Sequence, residues 1–161
     1  DENLLTPLPA GFQLGFHKAV PPSEISEYVP AGETVNNWSR MLTVIIAHNL
    51  GGHDPEAFAQ NAANRWKSAC PGSDTQKVAS GSENGYPFSI WQLSCPLNPA
   101  SGKPETTWTK IIGGADALYD VQYAYRQPIS KDLVAPAVTA LRGVQVCDTR
   151  GTDHPCPKEM Q

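Results

Sequence analysis

Two histidines and an aspartate lie close together around a glycine pair. His48, His53 and Asp54 flank Gly51-Gly52, and imidazole and carboxylate groups suit zinc or a related ion. The histidines are separated by a glycine loop, unlike the i,i+4 pair of a helical zinc site. Asp54 also fits the capping position of a following helix. Two interpretations therefore stand: a metal site at these three residues, or a loop that leads into a capped helix.

Residue types that support hydrolysis are scattered along the chain. The serines of residues 79–82 and 100–102 lie outside any G-x-S-x-G motif. Carboxylates that could cleave a glycosidic bond in pairs have no informative spacing; they include Glu27, Glu33, Glu83, Glu105, Asp116 and Asp120. The pattern favours a protein that is not an enzyme and predicts no cofactor. The alternative is a cell-envelope hydrolase whose site assembles only in the fold.

A tyrosine-rich segment suggests molecular recognition. Tyr119, Tyr123 and Tyr125 share one face if residues 117–126 form a strand. Tyrosine is common at protein interfaces, because the ring supplies contact area and the hydroxyl supplies a hydrogen bond. Asp120 lies on the opposite face, where burial requires a partner such as Arg126 or Arg142. We expect Tyr119, Asp120, Tyr123 and Tyr125 to bind a partner protein; the alternative is that the tyrosines pack under a helix.

Two helices are expected to position these residues. Asp54-Pro55-Glu56 starts the first, with an apolar stripe at i, i+4, i+8 and i+11 that ends before Pro71-Gly72. The second follows Ser130, with its regular part beginning near Pro136 because proline cannot donate a backbone hydrogen bond.

Strand patterns fill most of the remaining chain. Alternating or β-branched residues predict strands at 12–16 and 38–47 and a three-stranded antiparallel meander further along. The meander covers residues 86–95, 106–112 and 117–126. The order predicts one α+β domain over residues 1–161, an antiparallel β-sheet with two main α-helices packed against it.

Composition excludes several classes of protein. The 161-residue chain carries 12 basic and 16 acidic residues, a net charge of −4, which argues against a nucleic-acid surface. No apolar run approaches the roughly 20 residues of a transmembrane helix. We expect neither a nucleic-acid partner nor a transmembrane segment.

The four cysteines predict disulfides. None of them forms a C-x-x-C motif, and three precede proline. Among the three connectivities, Cys70–Cys95 with Cys147–Cys156 joins the cysteines nearest in sequence, and the second bridge would pin residues 145–161 as a C-terminal tail. Four buried free thiols in a cytosolic protein are the alternative. Disulfides imply a periplasmic or secreted protein from which we expect a signal peptide, or a lipid-anchored leader, to have been removed.

The order of these elements resembles a known family. A lead-in, the strand at 12–16, the run from Tyr28-Val29-Pro30 to Trp38 and Met41-Leu42-Thr43, a capped helix, a meander and a closing helix are similar to small exported bacterial proteins of the PsbP/Mog1-like fold. Members are mostly lipoproteins, chaperones and assembly or binding factors. The resemblance therefore implies a disulfide-stabilised periplasmic protein that binds another protein, such as an inhibitor, immunity or assembly factor. A carrier of a small ligand or metal is a further alternative.

Overall fold

The computed structural model describes residues 1–160, which form nine strands, two α-helices and two short 3-10 helices. The strands are β1 Glu2–Leu5, β2 Phe12–Val20, β3 Ser23–Pro30, β4 Arg40–Ala47, β5 Asp74–Glu83, β6 Tyr86–Asn98, β7 Lys103–Gly113, β8 Leu118–Tyr125 and β9 Gln145–Asp148. The helices are α1 Pro55–Ala69 and α2 Lys131–Arg142. Among the described residues, neither α-helix is long and apolar enough to cross a membrane.

Seven strands form one antiparallel sheet in the order β2-β3-β4-β8-β7-β6-β5. The predicted meander is confirmed as β6, β7 and β8. Strands β1 and β9 pair antiparallel in a separate small sheet, so part of the predicted tail is a strand. The sequence did not reveal β1, β3, β5 or β9.

The helices pack on opposite faces of the sheet, as the alternation of buried residues requires. Ala59 and Ala63 of α1 contact Leu118 and Ile111 on one face. On the other face, α2 packs over odd-numbered residues of β8. The fold class is therefore the predicted α+β arrangement, with α1 mainly on β5, β6 and β7 and α2 mainly on β7 and β8.

Both helices follow from their local sequences, and α2 directly follows Ser130 as predicted, although its regular part begins earlier than expected. Asp54 caps α1 by accepting a hydrogen bond from the Glu56 amide at 3.0 Å. Helix α2 begins at Lys131 and carries Pro136 in its interior. The expectation of a start near Pro136 was wrong, because proline removes one hydrogen bond while the first two turns bury Leu133 in the core.

Both predicted disulfides are present. Cys70 at the end of α1 is bonded to Cys95 on β6, which joins that helix to the sheet. Cys147 on β9 is bonded to Cys156 and holds the segment after β9 against it. No described cysteine is free.

Candidate functional site

The structure separates the three residues of the predicted metal site. His48 Nε2 lies 3.8 Å from Glu24 Oε1, and His53 Nδ1 lies 3.4 Å from the carbonyl oxygen of Gly51. Asp54 is the cap of α1. Within residues 1–160, no group of three or more His, Cys, Asp or Glu side chains is placed to hold a metal ion.

The predicted tyrosine face lies in the core. Tyr119, Tyr123 and Tyr125 are buried in the cluster that α2 covers, and the rings of Tyr123 and Tyr125 are 5.1 Å apart. The Tyr119 hydroxyl donates to Glu2 Oε2 at 3.0 Å. Burial raises the pKa of Tyr119 and of Tyr125. The structure thus places these tyrosines under a helix, which was the alternative to partner binding.

Asp120 is buried on the opposite face of β8. Its carboxylate accepts hydrogen bonds from Thr109 Oγ1 at 2.5 Å and from Gln122 Nε2 at 2.8 Å. Burial raises the pKa of Asp120, while these hydrogen bonds and the charge of Arg65 act in the opposite direction. Among the described residues, the partners of Asp120 are therefore Thr109 and Gln122, and neither Arg126 nor Arg142, the expected partners, pairs with it. Because its side chain is buried, Asp120 is part of the core and not an exposed binding residue.

A different region, the edge strand β2, exposes large apolar side chains to solvent. It forms one end of the seven-stranded sheet, and its large apolar side chains face solvent, with Leu14 56%, Phe16 39% and Val20 55% exposed. Edge strands expose unpaired backbone groups, and proteins commonly protect them. An edge with several exposed apolar side chains is typical of a surface that pairs with another chain.

A bulge divides the side chains of β2 between both faces of the sheet. The register with β3 shifts between Leu14 and Phe16. Leu14 pairs with Tyr28 and shares its face, whereas Phe16 pairs with Glu27 and points to the other face. A Cβ at Gly15 would lie 2.9 Å from Val35 Cγ1, so a larger residue there would crowd the Val35 side chain. The strand therefore offers apolar contacts on both faces of the sheet.

The opposite edge strand, β5, has a different composition. It reads Asp-Thr-Gln-Lys-Val-Ala-Ser-Gly-Ser-Glu, with Val78 as its single exposed large apolar residue. Lys77 forms an ion pair with Glu56 of α1 at 3.2 Å. A bulge between Lys77 and Ala79 interrupts the register. Both edges therefore carry a bulge and a lysine, and they differ in their exposed large apolar side chains, three on β2 and one on β5.

A groove lies beside β2 on the face that carries Leu14. It has a volume of about 540 Å³ between the N-terminal segment, residues 2–8, and strands β3 and β4. Its floor is apolar, with Tyr28, Val44 and Ile46, and Glu24 and His48 lie at one end. The Glu2 carboxylate holds the N-terminal segment by accepting the amide hydrogens of Ala115 and Asp116 at 2.6 and 2.9 Å.

Sequence reasoning missed this surface although it predicted a strand at 12–16. The available signal was Leu14 and Phe16 in a strand that also carries Val20, with few charges beside them. Whether such residues face a core or solvent depends on the strand's position in the sheet. That position is set by long-range pairing, which the local pattern does not specify.

Comparison with known proteins found similar solved structures but no similar sequence family. No protein-family model and no curated protein matches the chain. Among solved structures, the chain is similar to a mutant of the protein Mog1, with 12% identity, a TM-score of 0.54, and coverage of 91% of this chain and 92% of that one. It is also similar to LpqN, involved in cell envelope biogenesis of Mycobacterium tuberculosis, with 15% identity, a TM-score of 0.45, and coverage of 91% and 83%.

The chain has the PsbP/Mog1-like fold. The similarity to Mog1 extends over nearly the whole of both chains, and two helices on an antiparallel sheet give the same architecture. The fold implied by the order of sequence elements is thereby confirmed. At these identities the likeness concerns the fold alone, and fold does not determine function.

Proposed function

We propose that this chain is a non-enzymatic exported protein that binds another protein by adding one of the partner's segments as a strand beside β2. The observation that carries the proposal is the exposure of Leu14, Phe16 and Val20 on an unpaired sheet edge. Strand addition draws affinity from main-chain hydrogen bonds and specificity from alternating side chains. The two disulfides support export, since disulfides persist in oxidising compartments.

The exposed side chains define the chemistry of the partner. Phe16, Lys18 and Val20 pair with Glu27, Ile25 and Ser23 and alternate along one face of the sheet. Lys18 is exposed, and within residues 1–160 no carboxylate forms an ion pair with it. The segment that fits has apolar residues opposite Phe16 and Val20 and an acidic residue opposite Lys18.

Site-specific photocrosslinking tests this proposal. Two variants carry p-benzoylphenylalanine, one in place of Phe16 on β2 and the other in place of Val78 on β5. Each is irradiated in envelope extract of the organism that makes the protein. We expect the β2 variant alone to yield a defined adduct, whose crosslinked peptide shows the apolar-acidic-apolar pattern. Adding Leu14→Lys to the β2 variant should remove the adduct, because a charge beside the edge opposes strand pairing.

Other outcomes would overturn the proposal. Equal adducts from both edges would show that β2 has no special role. An adduct with twice the mass of the chain would replace the foreign partner with a second copy of this protein. A crosslinked peptide without the expected pattern would indicate contact with side chains alone instead of strand addition.

A further inference from the structure

A cleft lies between helix α2 and the strands β5 and β6, apart from the β2 edge. The cleft there has a volume of about 310 Å³, at the lower end of the roughly 300–1,000 Å³ typical of small-molecule sites. It exists because α2 packs mainly on β7 and β8 and leaves the neighbouring strands partly uncovered. It is too small for a folded partner and suits a compact ligand.

The walls of the cleft are apolar. Val138 and Leu141 of α2 form one wall, and Phe88 and Ile90 of β6 form the floor. Val78 lies at the β5 bulge and completes the opposite side. Bulges redirect side chains, and here the bulge places an apolar residue at the mouth.

Three charged groups determine the polarity that the cleft accepts. Lys110 is fully buried, and its ammonium lies 5.0 Å from the centre of the Phe88 ring. It is hydrogen-bonded to Glu83 at 2.5 Å, so Glu83 is already neutralised. Arg142 lines the cleft and is exposed, and within residues 1–160 it has no carboxylate partner. Two cations and one anion leave a net positive charge at the cleft.

We infer that this cleft binds a small anionic amphiphile, with its apolar body between α2 and β6 and its carboxylate on the Arg142 guanidinium. The apolar walls select the body by removing hydrocarbon from water. Arginine presents a fork of donors that matches a carboxylate. This site is distinct from the β2 edge and does not depend on the proposed strand addition.

Three probes of equal chain length test the inference on the full chain: octanoate, octanol and octylammonium. Amide shifts of the ¹⁵N-labelled protein report where each probe binds and how tightly. We expect saturable shifts at Val78, Phe88, Ile90 and Val138. Octanoate should bind up to about fivefold more tightly than octanol, the factor for one exposed ion pair of up to about 1 kcal/mol, and octylammonium should bind most weakly.

Two charge variants distinguish a direct contact between octanoate and Arg142 from a general attraction of the anion to positive charge on α2. Arg142→Gln should reduce octanoate affinity to the level of octanol. Lys131→Gln removes the same charge at the far end of α2 and should leave the preference unchanged. Both residues are exposed, so both variants should fold.

Several results would overturn the inference. Equal affinities for the three probes would mean that the cleft does not select charge. Octanoate shifts spread over the surface without saturation would mean that the cleft is not a site. Binding to anionic phosphatidylglycerol vesicles without any binding of octanoate would assign the charge to a membrane surface instead of a free ligand.

Discussion

Strands β5 to β8 and strands β2 to β4 belong to one sheet but differ in how they are covered. Both α-helices pack mainly on the first group, which we call the covered half. The second group, the open half, ends in an edge strand with exposed Leu14, Phe16 and Val20. The covered half also contains the buried Lys110 and Asp120, on opposite faces of the sheet.

This difference suggests a division of roles within one sheet. In the covered half, the three donors of the Lys110 ammonium meet three acceptors, Glu83 Oε2 and the carbonyl oxygens of Leu141 and Val144 at 2.5, 3.3 and 2.8 Å. This arrangement fixes the end of α2. The open half leaves an apolar edge in water, which costs stability and is retained where a partner covers it. We therefore expect changes in the covered half to alter stability and changes on β2 to alter binding.

The largest effect is expected from removing the disulfide of the covered half. Cys70 and Cys95 enclose a loop with a sequence separation of 25, which the loop-entropy model converts to about 3.5 kcal/mol of stability. The double variant Cys70→Ala/Cys95→Ala should lose that amount in chemical denaturation. Cys147→Ala/Cys156→Ala, with a separation of 9, should lose about 2.6 kcal/mol. The reverse order would show that loop length does not control the effect.

The next effect concerns the buried ion pair. Glu83→Gln leaves the Lys110 ammonium buried without its counter-ion, so the free energy of unfolding should fall by about 3 kcal/mol, the lower end for a broken buried pair. Lys77→Gln breaks the exposed pair with Glu56 and should cost less than about 1 kcal/mol. Equal losses of stability in the two variants would contradict the claim that the ion pair of the buried Lys110 contributes more than an exposed pair.

A pH-dependent effect is expected at Asp120. Burial raises its pKa in the folded state, so the folded protein binds this proton more tightly than the unfolded chain does. Its contribution to stability is complete below the unfolded pKa, about 3.9, and is lost as pH rises through the folded pKa. Asp120→Asn removes this dependence, so its unfolding free energy relative to wild type should increase as pH rises from about 4 to 8. A constant or decreasing difference would contradict the stated cause.

The smallest effect on stability is expected on the edge strand. Phe16→Ser should lower the free energy of unfolding by no more than about 1 kcal/mol, because Phe16 is 39% exposed and lies on an edge strand. Partner binding should nevertheless weaken at least about tenfold, as for a residue central to an interface. Val78→Ser on β5 is the matched control and should affect neither quantity. If Phe16→Ser loses stability but keeps its affinity for the partner, β2 contributes to stability instead of binding.

Local signals in the sequence predicted much of the fold. Asp54, Pro55 and Glu56 specify the start of α1 within three residues, and the nearest cysteines pair as expected. Strand β5 was missed because its polar, glycine-containing sequence has no alternating apolar residues. Strands β1 and β9 were missed because each has four residues and is stabilised by pairing with the far end of the chain.

The proposed binding surface was harder to predict than the fold. The same alternation places Tyr123 in the core and Leu14 in solvent, and only the order of strands distinguishes them. The burial of Lys110 could not be predicted either, because its hydrogen-bond acceptors lie on β5, at the end of α2 and just after α2. Such features depend on contacts between distant residues, which a single sequence does not encode locally.

Hydrogen exchange of the amides in the complex with the crosslinked partner tests the central claim most directly. If the partner adds a strand to the open edge, alternate amides of β2 that exchange rapidly in the free protein should become protected, while those of β5 stay unchanged. Unchanged exchange along β2 in the presence of saturating partner would contradict strand addition and remove the proposed role of the open half.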